Sequence, residues 1–398
     1  MKFAFVTPRY GAEIHGGAEQ AARLLAESIV ARSAHAVEVF TSCATDAGTF
    51  VDAYPKGTTS EAGVTVHRFS AQGRAADFDA RSNAILHSSP EERIARTEEW
   101  VRAQGPVSES LIEALRHTDA DIVAFHPYLY HPTVAGMRVV PDRVRVLHPA
   151  THDEAPIYLP VFDEVFGNAD GLVFWTRSEQ GFANHRFSIA SRPQIVLGIG
   201  VTPVAGSPES ARAELSLADP YVLCLGRVDT AKGTDLLVRL FAAYKEMYPG
   251  PLKLVLAGPV RHIPPEHPDV VVAGPVEETT KWGLLRGAEA LISPSSMESF
   301  SIVLLESWMA GTPVVVNGAC DTTREHAAES NGGLWFTSVA TFAAAVQRLV
   351  SDHQLQQELA QNGRAYVEGR YLQNVLTDRY IAFCEQLVKM RRSANALA

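Results

Sequence analysis

Cysteine is scarce in this chain: Cys43, Cys224, Cys320 and Cys384 are the four in 398 residues, and no two of them stand in a C-x-x-C pair. Neither a zinc site nor a disulfide framework is indicated, and a reducing cytoplasmic setting fits best. Apolar runs are short as well. None approaches the eighteen or so residues of a membrane-spanning helix, and the opening MKFAFVTPRYG reaches Pro8 and Arg9 before a signal-peptide core could form. The expectation is a cytoplasmic protein with no transmembrane segment, free to make transient membrane contact.

Positive charge is also lacking. Lys and Arg number 35 against 45 Asp and Glu, a formal net charge of −10. Binding to nucleic acid draws on clustered cations that neutralise phosphates, so no nucleic-acid partner is expected. Among 14 histidines no H-E-x-x-H occurs, and the phosphate loop G-x-x-x-x-G-K-[ST] is missing. The dinucleotide fingerprint G-x-G-x-x-G is missing too; its nearest string, GIGVTP at 198–203, fails at the third glycine. A nicotinamide dehydrogenase is disfavoured, and no metal or cofactor is required. Asp77-Phe78-Asp79 has the D-x-D spacing of some metal-dependent sugar transferases, yet no apolar strand precedes it, and it reads as a solvated charge cluster.

What the chain does have is a long alternation of apolar runs and helical patterns. Strands are expected at 3–7, 37–41, 64–69, 121–125, 143–147, 171–175 and 194–197, then again at 221–226, 252–258, 269–274, 290–293 and 313–316. Such alternation specifies α/β architecture with doubly wound parallel sheets. The Pro, Gly and Ser-containing stretch after Gly200 separates two series. Domains are therefore expected at 1–203 and 212–370, followed by a helix at 371–398. Residues 70–110, rich in Arg, Asp and Glu, read as an insertion.

Open α/β sheets bind ligands beyond the carboxyl ends of their strands, and several candidate residues fall there. In SPSSMESFSIVLLESWMAGTPVVV (293–316), a loop feeds a helix expected at 301–310 in which Ile302 to Leu305 and Trp308 to Ala310 are apolar on every side, with Glu306 among them. A carboxylate is rarely tolerated there without a partner, so Glu306 meets either a buried protein cation or a ligand. Glu298 stands eight residues earlier, in the loop. Ser299 and Ser301 are competent caps, and the backbone NH groups of Phe300, Ser301 and Ile302 suit an anion such as a diphosphate. In CLGRVDTAKG (224–233), Arg227 and Lys232 follow a strand end and can straddle the same diphosphate. Gly16 and Gly17 open the first helix, where a backbone can approach a phosphate closely. His126 ends strand 121–125, and His152 and Asp153 follow strand 143–147.

Taken together, HGGAEQ, GRVDTAKG, LAGPV (256–260) and ESFSIVLLE resemble the retaining glycosyltransferases of family 4. The E-x7-E string Glu298 to Glu306, continued by AGTPVV, is the specific signature. The resemblance implies the GT-B fold, two Rossmann-like domains facing across a cleft, with the last helix returning to the first domain. It further implies that Glu306 holds the ribose hydroxyls of a nucleotide-diphosphate sugar and Glu298 the transferred sugar. Arg227 and Lys232 would bind the diphosphate with Gly17 and the Phe300 and Ser301 amides, and His126 would contact the sugar near its reacting carbon. Transfer without a metal, with retention, to a carbohydrate, lipid-linked or small-molecule acceptor follows. His15, His152 and Asp153 are candidates on the acceptor side. A GT-B epimerase or sugar phosphorylase, a two-carboxylate glycosidase and a non-catalytic nucleotide or carbohydrate binder are the other readings.

Overall fold

The computed structural model describes residues 1–14 and 16–397. The chain divides into two compact units, residues 1–200 with those from Gln373 onward, and Val201–Leu372. The break therefore falls directly after Gly200, and the last helix, Gln373–Leu397, is part of the first unit.

The first unit holds strands β1 (Lys2–Val6), β2 (Ala36–Ser42), β3 (Gly57–Glu61), β4 (Val64–Phe69), β5 (Ile122–Phe125), β6 (Val144–Leu147), β7 (Gly171–Phe174) and β8 (Gln194–Val196). They lie in the order β3-β4-β2-β1-β5-β6-β7-β8. Every pairing is parallel except β3 with β4. This antiparallel edge strand was not expected, because GTTSE has no apolar residue and all but its last position is exposed. The order in which successive strands are added reverses between β1 and β5, and such a switch point is where ligands seat in these folds.

The charged stretch 70–110 is not a solvated appendage. It forms helices Phe78–Leu86 and Pro90–Gln104, the second begun by Ser89, whose hydroxyl accepts the Glu92 NH at 3.2 Å. Ile85, Trp100 and Val101 from these helices enter the core of the first unit. One buried edge on each helix suffices, and Arg and Glu on the remaining faces hide it from a composition count. Helix Gln373–Leu397 packs on helix Gly17–Arg32, where the Thr377 hydroxyl donates to Ser28 Oγ at 2.7 Å.

The second unit holds β9 (Tyr221–Leu225), β10 (Lys253–Ala257), β11 (Val270–Gly274), β12 (Leu291–Ser293), β13 (Val314–Asn317) and β14 (Gly333–Phe336). Their order is β11-β10-β9-β12-β13-β14, all parallel. The switch point here lies between β9 and β12. Strand β14 was missed because GLWF is short and follows a Gly pair. Helix Ile302–Ala310 packs against helices Glu278–Gly287 and His353–Arg370. Gly363 permits the second contact: a β-carbon there would lie 2.1 Å from Trp308 Cδ1.

Candidate functional site

The loops that follow β9 and β12 meet at the switch point of the second unit. After β9 the loop is shaped by Asp229, whose Oδ1 accepts the Lys232 NH at 2.7 Å and whose carbonyl accepts the Thr234 hydroxyl at 3.0 Å. Arg227 Nε stands 3.4 Å from Asp229 Oδ2, with its side chain 55% exposed. Lys232 reaches across to the β12 loop, its Nζ donating to Glu298 Oε1 at 2.7 Å. The two residue types singled out for a diphosphate and a sugar are thus in contact with each other.

Helix Ile302–Ala310 starts from the β12 loop. Ser301 stands at its N-cap position in the left-handed region (φ 67°) and gives no side-chain cap, contrary to the expected role of its hydroxyl. A helix whose first turn has no side-chain cap keeps backbone donors for an anion. Phe300 is buried, edge-on to His326 at 4.9 Å between ring centroids, so its side chain is structural. Ser299 and Ile302 sit on either side of this turn.

Glu306 is 6% exposed and has a protein partner: Lys281 Nζ donates to its Oε1 at 2.8 Å. Of the two alternatives that its apolar surroundings left open, the protein cation is present, with its side chain 19% exposed. Lys281 was not legible in the sequence, since it lies 25 residues away on another helix. Burial pushes the Glu306 carboxyl up from its ordinary value, and Lys281 pulls it back.

In the first unit, Gly16 stands at the N-cap position of helix Gly17–Arg32 without a side-chain cap. A β-carbon on Gly16 would lie 2.2 Å from Glu19 Oε2, whereas Gly17 faces open space. The reason is a buried ion pair that sequence reading overlooked. Arg9, just past β1, donates through Nε (3.0 Å) and Nη2 (2.6 Å) to Glu19 Oε1 and through Nη1 to the Thr45 carbonyl (2.8 Å). His15 lies outside the described residues. His152 Nε2 stands 3.6 Å from Glu154 Oε2, and Asp153 accepts the Tyr158 hydroxyl at 2.8 Å, so both are engaged within their own loop. Asp77 pairs with Arg81 at 2.8 Å, a local helix contact.

His126 does end β5, but its expected contact with a sugar is not supported by its place in this structure. The ring is 2% exposed, stacked on His148 with centroids 3.9 Å apart and on Phe5 at 5.2 Å. The cavity beside it, lined also by Trp175, Gly200, Gln373 and Leu376, measures about 20 Å³. Burial holds His126 down at about 3 and His148 well below its ordinary value. Both rings are therefore neutral in the fold and protonate near pH 6.5 once unfolded. Their contribution to stability is complete above about pH 6.5 and is lost as pH falls toward about 3. Urea unfolding at about pH 4.5 is expected to show roughly 2–3 kcal/mol less stability from His126 than at about pH 7.5. The His126→Phe variant should flatten that difference; an unchanged slope would contradict the assignment.

Two parallel-sheet α/β units, the second with paired cations and carboxylates at its switch point, define the GT-B fold. Residues 208–366, within the second unit, match the family described as Glycosyl transferases group 1. The chain is 29% identical over 245 residues to a D-inositol 3-phosphate glycosyltransferase of Salinispora arenicola, covering 51% of this chain and 52% of the relative. It is 27% identical over 191 residues to the lipopolysaccharide core biosynthesis glycosyltransferase LpsE of Rhizobium meliloti, covering 44% and 52%. The chain thus spans about half the length of the curated relatives it matches. Sucrose-phosphate synthase from Thermosynechococcus elongatus superposes with TM-score 0.68 at 17% identity, over 100% of both chains. HepE from Anabaena in complex with UDP and glucose gives TM-score 0.68 at 16% identity, over 97% of this chain and 100% of that one. At these identities the likeness concerns the fold. The chain has the GT-B fold, and residues 208–366 are similar to the group 1 glycosyl transferases. Among the described residues no helix is long and apolar enough to cross a membrane.

Proposed function

We propose that this protein transfers a glycosyl group from a nucleotide-diphosphate sugar, held by the second unit, to an acceptor bound mainly by the first. The observation that carries this reading is the contact of Lys232 with Glu298 at 2.7 Å, made between the loops after β9 and β12. A cation from one strand end and a carboxylate from the next stand where a diphosphate and its sugar are joined. In this ion pair each group neutralises the other. Arrival of a diphosphate gives Lys232 a second anion and leaves Glu298 to accept hydroxyls of the sugar, while exposed Arg227 can turn its planar fork toward the phosphates. Backbone donors of the uncapped first turn, at Ser301 and Ile302, add a fixed dipole. Negative charge that develops on the leaving diphosphate meets these groups in place, which lowers the barrier without reorganisation.

Glu306 is proposed to hold the ribose. Retention of anomeric configuration and independence of metal belong to the same proposal, resting on the family resemblance. An acceptor of carbohydrate, lipid-linked or small-molecule type is in keeping with the two curated relatives, whose names specify an inositol phosphate and a lipopolysaccharide core. The test is binding and turnover of radiolabelled UDP- and GDP-sugars by wild type and Arg227→Ala, with chelator present and with the product anomer read by NMR. Binding by wild type that falls at least tenfold in the variant supports the reading; no nucleotide sugar bound by wild type ends it.

A further inference from the structure

The neighbours of Glu306 in helix Ile302–Ala310 are buried: Leu304, Leu305, Ser307, Trp308 and Met309. Its carboxylate meets one cation, Lys281, which lies between buried Thr280 and Trp282 on helix Glu278–Gly287. Lys281 Nζ also stands 2.8 Å from Glu278 Oε1, a carboxylate 55% exposed. The contact with Glu306 uses Oε1 alone; among the described residues Oε2 has no hydrogen-bond partner. A lone carboxylate so placed would take up a proton, and a protonated acid accepts hydrogen bonds poorly.

We propose that Lys281 is a positioning residue for Glu306: it occupies Oε1, keeps the group a carboxylate, and leaves Oε2 to accept a hydroxyl of the donor ribose. The inference rests on the ribose-binding reading of Glu306 given above. A carboxylate bonds a vicinal diol far better than a neutral acid or amide, because charge-assisted hydrogen bonds are about twice as strong. A lysine anchors one oxygen and fixes the rotamer of the other. Without the lysine, the same apolar helix that hides Glu306 would silence it.

The electrostatic surroundings are simple. Helix Glu278–Gly287 brings Lys281, which favours the charged form, and Glu278, which opposes it. Strands β12 and β13 present apolar residues such as Leu291 and Val314, and helix His353–Arg370 brings Gly363 and Tyr366 against Trp308. Loss of Lys281 is therefore uncompensated, and ionisation of Glu306 moves toward or above neutral pH, as seen for buried glutamates elsewhere.

The experiment measures binding of UDP, GDP and their 2′,3′-dideoxy analogues to the full chain from about pH 6 to about pH 9. Wild type is expected to prefer the ribose form of the diphosphate it binds by about tenfold or more, with little dependence on pH. In Lys281→Met the preference is expected to collapse near pH 6 and to return as pH rises and Glu306 ionises. Lys281→Arg should keep it, and Glu306→Gln should lose it at every pH. Glu278→Gln is the control and should behave as wild type. Thermal melts verify that each variant is folded; if Lys281→Met is not, Lys281→Arg and the Glu306→Gln/Lys281→Met pair carry the comparison, the double variant losing the preference without recovery. A Lys281→Met protein that retains the ribose preference at all pH values overturns the inference while leaving the donor reading intact. Failure of wild type to bind either diphosphate removes both.

Discussion

Changing Lys232 to alanine is expected to lower kcat/KM for the proposed glycosyl transfer by about two to three orders of magnitude, the usual loss when one preorganised donor is removed from a developing anion. The loss has two parts. The variant lacks a cation for the diphosphate, and it uncovers Glu298, whose side chain is 14% exposed and whose Oε1 stood 2.7 Å from the ammonium. A bare carboxylate repels a diphosphate, and the repulsion is strongest where water is thin. Lys232→Arg keeps the charge but spreads it over a planar fork, so an intermediate activity is expected. Because the residues touch, Lys232→Ala and Glu298→Gln together should cost less than the sum of the single losses. Steady-state kinetics with the donor that wild type uses provide the check. Strict additivity would mean that the two groups act independently and that the pairing has no bearing on catalysis.

The largest stability effect is expected at Trp308. Its side chain is fully buried, its Nε1 donates to the Gly332 carbonyl at 2.8 Å, and its ring meets Tyr366 edge-on at 5.8 Å. Trp308→Ala removes the ring and the hydrogen bond and leaves a cavity that the backbone of Gly363 cannot fill. A loss of about 3–5 kcal/mol is expected, from transfer and cavity contributions together. At roughly 2–4 °C per kcal/mol for a unit of this size, the melting transition of the second unit falls well clear of experimental scatter. Trp308 lies two residues after Glu306, so a loosened helix should also weaken donor binding. Calorimetry beside nucleotide titration separates the two effects. A loss below about 1 kcal/mol would show that the site collapses around the missing ring.

The strands of both sheets were largely legible because parallel strands covered on both faces are nearly continuous apolar runs, as in YVLCL and KLVLA. Edge strand β3 was illegible for the converse reason: its residues face water, and its place is decided by pairing with β4. Glu306 stood out because an acid in an apolar helix is anomalous in any context. Lys281 did not, since a lysine three residues after a glutamate on an amphipathic helix looks like a surface pair until the third group is seen. Arg9 and Glu19 were passed over similarly; ten residues apart, they give no sign of the buried bond whose atoms crowd the β-carbon position of Gly16.

From one-dimensional order alone came the alternation that dictates two parallel α/β units, the loop-to-helix signature around Glu298 and Glu306, and the cations after β9. These are local matters, in which periodicity, caps and strand ends act on neighbours in the chain. Only tertiary structure decided which charges meet: Lys232 with Glu298, Lys281 with Glu306, Arg9 with Glu19. It also decided that His126 is enclosed rather than presented. Coulomb attraction and desolvation act through space over a few ångströms, and contacts between residues 10 to 66 positions apart are set by how sheets and helices pack.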